Sequence, residues 1–308
     1  MLLSRVLLGS LMIVALGGLI ALDAWLSVGE PPPGLGSDGY PPMETGIRFA
    51  GLPVVAVAML LVVLAAFEFG ALLRLGGYRP VTLWAALVSA GLVVIPWLPP
   101  RLSVSGESMT VVWLMGGVIG AALAAMARKT TERATTAMAT TVLIIVYLGV
   151  LGSFFVRIRF IDPGPAGAIL LVYTVLTIKA ADIGAYFTGM CLGRHALAPW
   201  LSPKKTVEGF LGAMVVSAGV AAGGAAFWPV IAPGSPPFGV LQALVFGVLM
   251  AVMGHLGDLA ESAIKRDIGV KDSAALIPAF GGLLDLLDST LFAAPVAWWM
   301  LTFMPKIG

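Results

Sequence analysis

Of the 308 residues, 59% are apolar and 11% charged, and the mean hydropathy is +1.01, which leaves too few polar side chains to cover a soluble domain of this length. The formal charge of +2 shows no strong bias of either sign, and no nucleic-acid partner is expected. A single cysteine, Cys191, excludes an internal disulfide and leaves the redox compartment open.

The fold class expected is all-α: a polytopic integral membrane bundle of about nine transmembrane helices. Apolar segments long enough to cross the hydrocarbon layer run at roughly 6–27, 50–71, 81–98, 109–127, 137–156, 166–190, 207–228, 238–256 and 286–304. The first follows one basic residue, is longer than the core of a cleaved signal, and is expected to be retained. Residues 28–49, with the run GEPPPGLGSDGYPPMETGIR, read as a loop from their proline and glycine content. One membrane domain over 1–308 is expected, with amino-terminal helices over 1–165 and the charged motifs over 166–308.

The basic residues suggest an orientation. With a cytoplasmic amino terminus, the inside loops collect Arg5, Arg74, Arg79, Arg128, Lys129, Arg133, Arg194, Lys204, Lys205, Lys265, Arg266 and Lys271. The outside loops hold Arg48, Arg101, Arg157, Arg159 and Lys306, so the excess lies inside. Arg157 and Arg159 strain this scheme, because they place two arginines in one short outer loop. By parity, the loops around 194–206 and 257–285 face the same side.

Those loops carry the chemistry. As a helix, GHLGDLAESAIKRDIG (254–269) puts Asp258, Glu261, Ser262, Lys265 and Arg266 on one face. An interfacial helix with an ion pair such as Glu261 with Lys265 would account for that stripe. Asp285 and Asp288 share a face with Ser289 at the start of the last span. The helix macrodipole favours acids there, but two carboxylates facing an acidic stripe are also what a hard divalent cation needs. Just upstream, PAFGGLL supplies Pro278, Gly281 and Gly282, a turn that lets backbone approach a ligand. In KAADIGAYFTGMCLGRHALAPWLSPKKTVEG (179–209), Lys179 and Asp182 are spaced for a pair within a span. Ser202 is expected to cap a helix with Pro203 at its first position, which puts Lys204 and Lys205 in the first turn. There a phosphate would relieve their conflict with the dipole; a positive-inside anchor would explain the lysines alone.

With these residues the chain resembles the phosphatidate cytidylyltransferase (CDP-diacylglycerol synthase) family. The resemblance lies in SAIKRDIGVKDSAALIPAFGGLLDLLD (262–288), the preceding GDLAES, and the upstream DIGAY, Gly193-Arg194 and SPKKTVEG. Two positions depart from the family pattern: Phe280 stands where the family has histidine, and Leu286 where it has arginine. His255 and His195 are the imidazoles left to compensate. The resemblance implies transfer of CMP from CTP to phosphatidate, giving CDP-diacylglycerol and pyrophosphate. It also implies Mg2+, as two divalent sites or one divalent ion with K+, and a homodimer in a bacterial inner membrane with the site on the cytoplasmic side.

On that reading Asp258 and Asp285 hold the metal, with Asp288 and Glu261 beside them. Lys204, Lys205, Lys265, Arg266 and Lys271 bind phosphates, Asp272 orients Lys271 or Lys265, and Ser262 is a polar ligand. Ser202, Asp182, Gly281 and Gly282 complete the substrate site. A CTP-dependent transferase or kinase acting on another lipid fits the same loops. A secondary transporter using Lys179, Asp182 and the acidic pair, or a member inactivated at Phe280 and Leu286, are further alternatives.

Overall fold

The structure, a computed structural model, describes residues 17–27, 50–98, 105–232, 236–270 and 282–304. In hydrocarbon, every backbone N–H and C=O must be satisfied inside the segment that carries it, so the long apolar runs fold as helices. In chain order these are α1 (Gly17–Ser27), α2 (Leu52–Leu75), α3 (Thr82–Val94) with a 3-10 turn Ile95–Trp97, and α4 (Gly106–Met126). Then come α5 (Ala134–Arg159), interrupted by a π turn at Ile145–Val150, and α6 (Pro165–Leu192). A hairpin of β1 (Ala196–Ala198) and β2 (Ser202–Thr206) leads to α7 (Val207–Ile231), α8 (Val240–Asp267) and α9 (Leu283–Phe303).

All nine expected spans are helical where they are described, and seven of these helices are long and apolar enough to cross a membrane. The chain is an integral membrane protein. Of the other two, the first span is described only over Gly17–Ser27, and Thr82–Trp97 is shorter. Pro96 sits in the turn that ends the latter, whose 13 α-helical and 3 3-10 residues rise about 25 Å, less than the ~30 Å hydrocarbon layer. By contrast, the 28 residues of α8 rise about 42 Å, so its polar last turns extend past the layer that its apolar part crosses.

Two apolar clusters form the interior. One joins α2, α3 and α5 to Leu283, Leu284 and Leu291 of α9. The other joins α6, α7 and α8 to Ala293, Ala297 and Met300 further along the same helix. The last helix therefore stands between the two halves, with its first turn at their junction. It lies against α8 with almost no room: a Cβ on Gly257 would come within 2.3 Å of the Asp288 carbonyl oxygen. Outward-facing Val111, Val112, Met115, Ile119 and Leu123 of α4 are exposed, as a lipid-facing stripe should be.

Hydrogen bonds between connections fix the two ends. At one end Arg128 Nη1 donates to the Arg79 carbonyl at 2.7 Å, Arg133 Nη1 to Gly77 at 2.7 Å, Tyr78 Oη to Asp267 at 2.6 Å, and Arg266 Nε to Leu201 at 3.3 Å. The loops around 194–206 and 257–285 thus share an end, as parity requires. At the other end, Trp97 Nε1 donates to the Ala50 carbonyl at 3.1 Å and Arg157 Nη2 to Thr110 Oγ1 at 3.0 Å. The two arginines that strained the orientation are not free loop charges. Arg159 is fully buried, ion-paired with the equally buried Asp23, and donates to Ser27 Oγ at 2.6 Å and the Asp162 carbonyl at 3.0 Å. Arg157 lies over the rings of Phe154 at 5.6 Å and Trp298 at 5.7 Å.

Candidate active site

The helix expected over 254–269 exists as the end of α8, continuous with the span before it. Its polar stripe divides by depth. Glu261 and Lys265 are buried, Asp258 is half-buried, and Arg266 is exposed. Lys265 Nζ lies 3.0 Å from Glu261 Oε1, the i,i+4 pair read from the sequence, and also binds Asp285 of α9. One ammonium therefore joins the acidic residues of two helices.

On α9, Asp285 Oδ2 accepts the Gly282 N–H at 3.0 Å, which satisfies one of the orphan donors at a helix start. Asp288, one turn later, is buried beside α8. Two clamps from distant elements hold this turn. Glu68 of α2, 2% exposed, accepts the N–H groups of Leu283 at 2.8 Å and Leu284 at 3.3 Å. Lys179 of α6 pairs with Asp182 at 3.1 Å and also donates to the Leu286 carbonyl at 3.2 Å and Ser289 Oγ at 3.0 Å. The pair foreseen inside the span is thus a three-way junction. The Leu286 side chain packs on the apolar cluster of the first half.

The segment SPKKT departs from expectation. Ser202 does not cap a helix, and Lys204 and Lys205 do not lie in a first helical turn; they form β2, antiparallel to β1 with Ala196 opposite Thr206 and Ala198 opposite Ser202. The cap is Thr206, whose Oγ1 accepts the Gly209 N–H at 3.1 Å. Pro203 lacks an N–H but is tolerated in a two-stranded ribbon, where each strand is an edge. Glu208, in the first turn of α7, holds the preceding loop: its carboxylate accepts the Arg194 and His195 N–H groups at 3.0 and 3.2 Å and lies 2.6 Å from His195 Nδ1. The hairpin brings Lys205 Nζ to 2.6 Å from Asp258.

These elements enclose a cavity of about 570 Å³. Its charged wall is Asp182, Lys204, Lys205, Asp258, Glu261, Lys265, Asp285 and Asp288; its apolar wall includes Ala185, Tyr186, Met190 and Phe210. His255 also lines it, and its Nδ1 faces the Ala251 carbonyl at 3.1 Å, an oxygen that can only accept, so Nδ1 carries a proton. Eight of the expected site residues therefore meet in one place. Ser202, Ser262, Arg266 and Gly282 do not line the cavity; the Arg266 guanidinium instead donates to the Leu201 and Val270 carbonyls. Lys271, Asp272, Phe280 and Gly281 lie outside the described residues.

The carboxylates are hard oxygen donors of the kind Mg2+ takes, and five of them line the cavity, with Asp258 and Asp285 partly exposed, so the residues fit such a cation. Among the described residues no three Asp, Glu, His or Cys side chains are grouped closely enough to hold one by themselves. A cation here would take part of its coordination from phosphate oxygens.

Sequence reasoning missed Glu68, Glu208 and Asp23. Only Glu208 left a local signal, as an acid in the first turn of a helix next to the SPKK run.

Residues 43–304 match the family described as the Cytidylyltransferase family. The phosphatidate cytidylyltransferase of Bacillus subtilis (strain 168) is 38% identical over 156 residues, 51% of this chain and 55% of that protein. The Uncharacterized protein YnbB of Escherichia coli (strain K12) is 41% identical over 137 residues, 44% of each chain. The phosphatidate cytidylyltransferase of Synechocystis sp. is 41% identical over 142 residues, 46% of this chain and 45% of that one. The chain spans about half the length of the curated relatives it matches.

Proposed function

The chain belongs to the cytidylyltransferase family, and from that premise we propose that it transfers CMP from CTP to phosphatidate, giving CDP-diacylglycerol and pyrophosphate. The observation that carries this reading is the cavity itself: two stretches distant in sequence, 182–210 and 255–288, supply its lysines and carboxylates on one wall and apolar side chains on the other. A polyanionic nucleotide and a lipid phosphate need such a divided surface, at an end of the bundle where water and acyl chains are both within reach.

Lys204, Lys205 and Lys265 bind the phosphates of CTP. Lys205 and Lys265 are held before substrate arrives by Asp258, Glu261 and Asp285, so their positions are set in advance of the reaction. Asp258 and Asp285, with Asp288 and Glu261 beside them, would hold Mg2+, which when bound offsets the negative charge of the triphosphate and of the departing pyrophosphate. A phosphatidate oxygen attacks the α phosphorus in line as the bond to the β-phosphate bridging oxygen breaks. Phosphatidate is already anionic, so positioning and charge stabilisation do most of the work and no strong base is required. Lys179 and Asp182 hold α6 against the start of α9 under the site. We place the cavity on the cytoplasmic side of a bacterial inner membrane, with the amino terminus on the same side, in a homodimer.

Purified protein in liposomes, given CTP, phosphatidate and Mg2+, should release pyrophosphate, and more slowly with ATP, GTP or UTP. Release that is independent of phosphatidate, or equal with all four nucleotides, would refute the assignment.

A further inference from the structure

Among the described residues, none of the amino-terminal half lines the cavity, yet that half controls one helix that does. Four N–H groups at the start of any α-helix have no partner within it, and at the start of α9 they are shared between near and distant acceptors. The Gly282 N–H goes to Asp285, three residues on. The Leu283 and Leu284 N–H groups go to the two oxygens of Glu68, 215 and 216 residues away in the chain. Glu68 is 2% exposed, sits among the apolar residues of α2, and takes part in none of the ion pairs among the described residues. Unlike Asp258, Glu261, Asp285 and Asp288, it does not face the cavity.

A buried acid is retained at a cost unless hydrogen bonds meet its oxygens, and here both oxygens are used to fix the first turn of the helix carrying Asp285 and Asp288. Asp285 lies one residue after the second clamped N–H. Its Oδ1 meets Lys265 and its Oδ2 meets the cap, so displacement of that turn would move Asp285 and Lys265 together.

We infer that Glu68 is a positioning residue: it clamps the Leu283 and Leu284 N–H groups and thereby sets the place of Asp285 and Lys265 in the cavity. The inference rests on the reaction proposed above only for its catalytic consequence. It makes the first half of the chain part of the active-site framework.

The test uses the full chain in detergent, with Glu68→Gln, which keeps one acceptor, and Glu68→Met, which keeps the volume and neither acceptor. Hydrogen exchange at the backbone amides of 283–286 should quicken about tenfold in E68M and less in E68Q, the scale expected for losing a cap, with exchange elsewhere in α9 unchanged. Well below the melting temperature, kcat for pyrophosphate release should fall at least about tenfold in E68M, equivalent to about 1.4 kcal/mol, with KM for phosphatidate unchanged. E68Q should lie between E68M and wild type in both readouts. Unchanged exchange would overturn the clamp, and quickened exchange with unchanged kcat would overturn its role in positioning. If E68M does not fold, E68Q alone decides by the same two readouts. A wild type that releases no pyrophosphate would refute the reaction, while the exchange arm would still decide whether Glu68 holds the helix.

Discussion

Both ends of the bundle bury charge, and they use it differently. At the end holding Arg159, one guanidinium meets one carboxylate, a hydroxyl and a backbone carbonyl in a fully enclosed setting. At the end holding Lys265, three lysines and five carboxylates surround an open cavity of about 570 Å³. Asp258 and Asp285 remain partly accessible there, with side-chain exposures of 42% and 28%. A closed, paired charge leaves no open space in which a ligand could reach it, whereas lysines and carboxylates around a cavity can exchange each other for phosphate and metal. Both ends set basic side chains against carboxylates, and the space beside them separates a structural role from a chemical one.

The largest effect should come from Asp285→Asn. Pyrophosphate release should fall by about a thousandfold, the order of losing a principal charge-stabilising group, while the melting temperature changes little, because the asparagine oxygen can still cap Gly282. A rate within about threefold of wild type would remove Asp285 from the chemistry. The opposite pattern is expected at the closed end. Asp23→Asn leaves Arg159 buried without its counter-ion, at a cost of about 3 to 5 kcal/mol. Thermal unfolding in detergent should show the loss, with kcat at low temperature unchanged; a fall in kcat without loss of stability would erase the distinction between the ends. Lys205→Ala should raise KM for CTP by about tenfold, as expected for one charge-assisted phosphate contact, and leave KM for phosphatidate alone. An unchanged KM for CTP would separate Lys205 from nucleotide binding.

The smallest effect concerns Tyr78, whose hydroxyl donates to Asp267 at 2.6 Å and so tethers a connection at the cavity end to the end of α8. That hydrogen bond raises the phenol above its ordinary range. The raised group favours the folded state fully below the ordinary tyrosine range, and this contribution is lost as pH rises through the folded value. In an absorbance titration of the folded protein, Asp267→Asn should bring one tyrosine back toward the ordinary range; an unchanged curve would refute the tether.

What could be read from the sequence depended on how far apart the partners lie along the chain. The long helices among the described residues were legible because their signal is a continuous apolar run. Asp258, Glu261 and Lys265 were legible because helical spacing puts them on one face. Asp285 and Asp288 stood out as acids at the mouth of a span. The hairpin was misread because Ser-Pro resembles a helix start, whereas pairing with Ala196–Ala198 and the cap at Thr206 decide the local structure. Glu68 and Asp23 were invisible for a stronger reason. Glu68 bonds to backbone N–H groups, which leave no trace in residue identity, and Asp23 meets an arginine 136 residues away. Parity placed the two charged loops on one end, but only their packing shows that they enclose a common space.

The central claim is that lysines and carboxylates from these two loops form one site that joins a nucleotide to a lipid phosphate. The most direct measurement supplies CTP labelled at its α phosphorus to the protein in phosphatidate-containing liposomes and follows the label into the organic phase after extraction. The account predicts that label enters the lipid fraction in step with pyrophosphate release, and that Asp285→Asn abolishes both. Label that stays in the aqueous phase while pyrophosphate is released, or that enters lipid equally well in Asp285→Asn, would contradict it.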